Sequence, residues 1–202
     1  ALSGEEIMSK VKGIEKFAKV ESFNFSELPG PHVTPSKMLE LSNFIKDILK
    51  REDIAGAVVT HGTDSLEETA YFLDLTIKSE KPVVVTGSMR NSSELGYDGP
   101  HNLLDSICTA ISDDARNKGA LVCFNDELNS ASEATNVPSM HLNAFDSPDF
   151  GPLGLIGSNR PIFYRTRTCN EYIETDKIEE KVALIKLADG KNSDFITFYI
   201  QR

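Results

Sequence analysis

Two hydrophobic periods alternate along the chain. From Glu5 to Lys19, apolar residues fall at Ile7, Val11, Ile14, Phe17 and Ala18, a helical stripe with Lys and Glu opposite. Val20–Phe25 alternates apolar and polar residues and predicts a half-buried strand, which Pro29-Gly30-Pro31 interrupts. Pro35-Ser36 opens a second amphipathic helix, with Met38, Leu39, Leu41, Phe44, Ile45, Ile48 and Leu49 on its apolar side. Ile54–Val59 is a short apolar run that predicts a strand buried on both faces. Pro82–Thr86 predicts the next buried strand and Gly119–Phe124 a further one. Between them, Ser65 with Glu68 reads as a capping box for a helix to about Lys78, and Gly99-Pro100 starts another helix.

Short apolar strands alternating with helices of about four turns predict βαβ units around a parallel sheet. The expected fold is α/β, a flavodoxin-like or Rossmann-like three-layer domain over residues 1–164. After Gly151-Pro152-Leu153-Gly154, the segments Leu155-Ile156 and Ile162-Phe163-Tyr164 flank Ser158-Asn159 as a hairpin. Residues 165–180 are charged and read as a linker. Lys181–Leu187 starts another strand, so residues 181–202 are expected to begin a second, smaller α/β domain.

The composition narrows the functional classes. The chain has 202 residues, with 31 acidic against 21 basic side chains and a net charge of −10. That balance argues against nucleic-acid binding, which needs clustered Lys and Arg. No apolar run is long enough to span a membrane, and Ala1–Val20 lacks the apolar core of a signal peptide. Cys108, Cys123 and Cys169 show no CxxC spacing and read as reduced thiols of a cytoplasmic protein. The four histidines lack i, i+4 or HxH spacing among themselves, so no metal is expected.

Ligands of open parallel sheets bind outside the carboxyl ends of the strands, where loops meet helix N-termini. Four loops qualify: Pro29–Thr34, Thr60–Ser65, Thr86–Gly99 and Asn125–Pro138. The second places a hydroxyl beside a carboxylate at Thr63-Asp64, although Thr, Asp and Ser are also the ordinary helix caps. His61 reads as a packed loop histidine, and Asp98-Gly99-Pro100 as helix initiation.

Val59-Thr60-His61-Gly62-Thr63-Asp64-Ser65-Leu66-Glu67-Glu68-Thr69-Ala70-Tyr71-Phe72-Leu73 closely resembles the second signature of bacterial-type L-asparaginases. Pro82–Arg90, Tyr97-Asp98-Gly99-Pro100-His101-Asn102-Leu103 and Phe150-Gly151-Pro152-Leu153-Gly154 resemble further stretches of that family, in order along the chain. The resemblance implies an amidohydrolase that splits asparagine, and glutamine more slowly, into the acid and ammonia. A threonine hydroxyl attacks the side-chain amide, and water then cleaves the acyl-enzyme. Thr63 matches the second active-site threonine. Asp64 matches the carboxylate that binds the substrate's α-ammonium. Ser88 matches the position whose backbone carbonyl helps hold the scissile amide, and Gly30-Pro31 matches the segment that binds the α-carboxylate. The resemblance implies no cofactor, a small-molecule substrate and a homo-oligomer, dimer or tetramer.

The departures are specific. The family's Gly-Gly-Thr-Ile signature, which supplies the nucleophilic threonine, does not occur in the chain, whose first residues match the family just after it. Where the family places Thr-Lys-Thr, this chain has Thr135-Asn136-Val137, and an amide cannot supply the lysine's positive charge. Gly30 stands where the family often carries a serine hydroxyl. The expectation is therefore an L-asparaginase-like chain, incomplete at both ends, that does not hydrolyse asparagine by itself. The alternative is a non-catalytic relative that binds amino acids or other subunits. A related amidotransferase subunit, which feeds ammonia to a misacylated tRNA, fits the acidic charge less well.

Overall fold

The computed structural model describes residues 4–137, 141–168, 171–184 and 194–201. At the N-terminus the predicted long helix is two short pieces, α1 (Gly4–Ser9) and a 3-10 turn at Ile14–Lys16. Gly13, with φ +81°, takes the left-handed conformation just before the second. The helical stripe survives the break: Val11 and Ile14 are buried against Leu103 and Ile107. Among the described residues, Val20–Phe25 pairs with no strand. Its polar–apolar alternation instead lays Phe23 and Phe25 against Phe44, with ring centroids 5.4 and 5.7 Å apart.

The second helix, α2, spans Pro35–Leu49, with Pro in the first turn and the Thr34 hydroxyl accepting the Lys37 N–H. Then follow β1 (Ala57–Thr60), α3 (Leu66–Thr76), β2 (Val83–Thr86), α4 (Gly99–Ala110) and β3 (Ala120–Phe124). β1, β2 and β3 pair in parallel, with Val58 opposite Val84 and Val84 opposite Leu121. α2 and α3 bury Ile45, Leu49, Leu66, Ala70 and Leu73 against Val83, Val85 and Val122 on one face. α4 covers the other face, where Ala110 meets Val84 and Cys123. This is the predicted three-layer α/β arrangement, with every residue of β2 and β3 buried. β1 differs from expectation: its apolar run is half-buried, because it forms one edge of the sheet.

Beyond β3 the sheet changes sense. β4 (Glu127–Ser130), β7 (Gly154–Gly157) and β8 (Arg160–Phe163) add antiparallel strands in the order β1-β2-β3-β4-β7-β8, so the sheet is mixed rather than parallel. Asn125 and Asp126, both at positive φ (49° and 64°), make the two-residue turn from β3 to β4. Asn and Asp tolerate that conformation, which is why the expected loop 125–138 instead begins with a hairpin. The predicted hairpin at Ser158-Asn159 forms with the same turn chemistry, at φ 51° and 57°. Two short strands, β5 (Thr135–Asn136) and β6 (Phe145–Asp146), pair separately.

Residues following β8 fold back onto the domain. Arg167 donates to Asp74 at 2.7 Å, and the Ile173 N–H donates to the Leu75 carbonyl. Lys181–Leu184 is exposed and in no strand, and the rest of that predicted strand, 185–187, lies outside the described residues. Asp194–Ile200 forms a short helix, α5.

Candidate active site

The carboxyl ends of β1 and β2 carry the residues singled out above. β1 runs out at Thr60, and Thr63–Ser65 forms one 3-10 turn before α3. The predicted Ser65–Glu68 capping box is not made. Ser65 Oγ instead donates to the Gly30 carbonyl at 2.6 Å, binding the Gly30–His32 turn to the Thr63–Ser65 turn. Tertiary contact wins over the local cap because Gly30 is buried directly beneath that loop. A Cβ on Gly30 would sit 3.4 Å from the Gly62 carbonyl oxygen, 3.5 Å from Ser65 Oγ and 3.6 Å from Asp64 Cβ. Gly30 is thus brought against Asp64, while Pro31 beside it is exposed.

His61 is held on both ring nitrogens. Nδ1 lies 2.7 Å from the Gly62 carbonyl oxygen, which can only accept, so Nδ1 carries the proton. Nε2 then accepts from the Thr69 hydroxyl at 3.0 Å. The imidazole is thus engaged by the buried Thr69 hydroxyl and not by Thr63. Thr63 is half-buried and Asp64 exposed, and among the described residues neither the Thr63 hydroxyl nor the Asp64 carboxylate has a hydrogen-bond partner. Both groups therefore keep their full hydrogen-bonding capacity.

The Ser88 loop lies alongside. The His61 N–H donates to the Thr86 carbonyl at 2.8 Å, and a Cβ on Gly87 would stand 2.4 Å from the His61 carbonyl oxygen. No side chain fits there, so Gly87 permits the close approach that brings Ser88 beside the Thr63 loop. Two further residues hold this loop in place. Asp98 accepts the Met89 and Arg90 N–H groups, each at 2.9 Å, and Asn102 Nδ2 donates to the Gly87 carbonyl at 3.0 Å. Both sit in the Tyr97–Leu103 stretch, and Asp98 begins α4 as the sequence predicts, its carbonyl accepting the His101 and Asn102 N–H groups. Its side chain makes no cap bond to α4 and instead points back at the loop.

Asn136 enters the same neighbourhood, its N–H donating to the carboxylate of Glu67 in the first turn of α3. A cleft of about 430 Å³ lies elsewhere, between the C-terminal ends of α2 and α3, lined by Lys46, Lys50 and Lys78 among others. None of the candidate residues lines it.

The carboxyl ends of the parallel strands β1 and β2 of this α/β fold thus carry a hydroxyl and a carboxylate, Thr63 and Asp64, on one turn. Comparison with known proteins gives the family: the model described as Asparaginase, N-terminal matches residues 1–169, and the chain belongs to that family. It is similar to an L-asparaginase of Bacillus licheniformis, 39% identical over 194 residues, covering 95% of this chain and 60% of that protein. It is also similar to a glutaminase-asparaginase of Acinetobacter glutaminasificans, 33% identical over 179 residues, covering 87% and 54%. A solved structure, that of a probable cytoplasmic L-asparaginase from Campylobacter jejuni, matches with a TM-score of 0.79 at 38% identity, covering 83% of this chain and 51% of that one. The chain spans about half the length of the curated relatives it matches. Among the described residues, no helix is long and apolar enough to cross a membrane.

Proposed function

We propose that the chain carries the substrate-recognition part of an L-asparaginase-type amidohydrolase, and that by itself it binds L-asparagine without hydrolysing it. The observation that carries this reading is the seating of Gly30 against Asp64, beside a Thr63 hydroxyl and an Asp64 carboxylate that no described residue engages. In the proposed complex, Asp64 accepts the α-ammonium in a charge-assisted hydrogen bond. The Gly30-Pro31 turn faces the α-carboxylate, and the backbone carbonyl of Ser88 takes the side-chain amide. Thr63 orients the attacking oxygen.

Turnover needs more than recognition. Attack on the amide carbonyl requires a hydroxyl relieved of its proton, and this calls for a base or a cation beside it. His61 has both ring nitrogens occupied, and Asn136, which contacts Glu67 in the first turn of α3, is neutral. The sequence holds no Lys between Lys118 and Lys177 and no Gly-Gly-Thr-Ile segment. The proposal predicts that the purified 202-residue chain releases no ammonia from L-asparagine above background. Clear turnover overturns it. Glutamine is the second substrate to try, since a relative at 33% identity is a glutaminase-asparaginase.

A further inference from the structure

On the α4 side of the sheet, three potential ligands converge that take no part in the site above. His101 and Asp105 lie one turn apart on α4, the i, i+4 spacing that places two side chains on one helix face. Asp126 meets them from the β3–β4 turn. His101 Nε2 stands 2.8 Å from Asp126 Oδ1 and 3.4 Å from Asp105 Oδ2, and one ligand atom from each residue lies within 4.8 Å of the others.

Asp105 makes this more than an acidic cluster. Its side chain is 1% exposed, and among the described residues neither carboxylate oxygen receives a hydrogen bond. A buried carboxylate without donors is costly, and the nearest groups facing it are the imidazole of His101 and a second carboxylate, Asp126.

We propose that His101, Asp105 and Asp126 form a binding site for a divalent transition-metal cation of the Zn²⁺ type. One imidazole nitrogen and two carboxylate oxygens are an accepted Zn²⁺ donor set, and tetrahedral Zn²⁺ with bonds of ~2.0–2.1 Å separates its ligand atoms by ~3.3 Å. The observed 2.8 and 3.4 Å bracket that value. His101 and Asp126 are more than half exposed, so they can adjust by the few tenths of an ångström needed, and a water can complete the shell from the solvent side. The imidazole favours Zn²⁺ over Mg²⁺ or Ca²⁺, which prefer all-oxygen shells, and the affinity order places Zn²⁺ above Mn²⁺.

The position gives the ion a structural consequence. Coordination staples the β3–β4 turn to α4 beside Asn102, whose Oδ1 accepts the Asn125 N–H at 3.1 Å and whose Nδ2 holds the Gly87 carbonyl. The ion therefore reinforces the scaffold on which the Ser88 loop rests.

The test is calorimetric titration of the metal-stripped full chain with ZnCl₂, on wild type, His101→Ala and Asp105→Asn, with circular dichroism to check folding. The expected result is one Zn²⁺ per wild-type chain, with affinity at least ~10-fold lower in each folded variant. His101→Ala alters a half-exposed side chain, so it decides the question alone if Asp105→Asn folds poorly. Absence of saturable uptake by the wild type, or equal uptake by wild type and His101→Ala, overturns the assignment.

Discussion

Asp98 gives the sharpest test of how the Ser88 loop is built. Its Oδ2 accepts the Met89 N–H at 2.9 Å and Asn102 Nδ2 at 3.0 Å, while Oδ1 accepts the Arg90 N–H at 2.9 Å. Asp98→Asn keeps the shape but replaces one oxygen by an NH₂ group. In the better orientation the amide oxygen keeps Met89 and Asn102, and the NH₂ faces the Arg90 N–H, donor against donor. The lost bond to a charged acceptor costs about 1.5–3 kcal/mol. The two remaining bonds fall from charge-assisted to neutral strength, together about 1 kcal/mol more. A destabilisation of about 3 kcal/mol follows, which for a chain of this length lowers the thermal midpoint by roughly 6–12 °C. Urea denaturation measures the first quantity. Hydrogen exchange locates it: the Met89 and Arg90 amides should exchange faster, while the first turn of α4, to which Asp98 gives no side-chain cap, should hardly change. A change under about 0.5 kcal/mol, or accelerated exchange confined to α4, would refute the reasoning.

Three further outcomes follow from the same structure. Gly87→Ala sets a methyl 2.4 Å from the His61 carbonyl oxygen and must push the ends of β1 and β2 apart, costing about 2–4 kcal/mol by urea denaturation. Arg167→Ala removes the ion pair of Asp74, whose side chain is 2% exposed, and should cost about 3–5 kcal/mol by the same assay. Glu133 gives a pH signature. Burial pushes its carboxyl up, yet hydrogen bonds from Arg165 and Thr168 outweigh it and hold the pKa below the ordinary value. The stabilisation is thus present above the unfolded-state pKa and lost as pH falls through the lower, folded one. Glu133→Gln should be less stable than wild type by about 2 kcal/mol at pH 7, with the gap closing below about pH 4 in a series of urea titrations.

The sequence showed its regular parts plainly and its irregular parts poorly. The apolar runs at Val83–Val85 and Leu121–Phe124 could only be buried strands, and the stripe from Met38 to Leu49 only a helix facing them. Local signals failed where a tertiary contact outweighed them. Ser65 had the spacing of a cap, yet its hydroxyl serves Gly30, 35 residues earlier. Asp98 does start α4, but its side chain serves Met89 and Arg90, which the sequence did not show. Val20–Phe25 had the period of a strand but finds its partner in the Phe44 ring. The turn at Asn125-Asp126 was readable, being a pair of residues that tolerate positive φ, but the polar stretch around it concealed the hairpin. The loops of the candidate site were legible through Thr63-Asp64 and Gly87-Ser88. The supporting Asp98 and Asn102 were not, because their role depends on three-dimensional proximity. His101 and Asp105 stand at i, i+4 in the sequence, but only the fold brings Asp126 to them.

The central claim is recognition of an amino acid by the Thr63–Asp64 turn, and calorimetric titration of the chain with L-asparagine tests it most directly. The account predicts saturable heat with one ligand per chain, and affinity at least ~10-fold weaker in Asp64→Asn, which removes the charge opposite the α-ammonium. Absence of saturable heat, or equal affinity in wild type and Asp64→Asn, would contradict it.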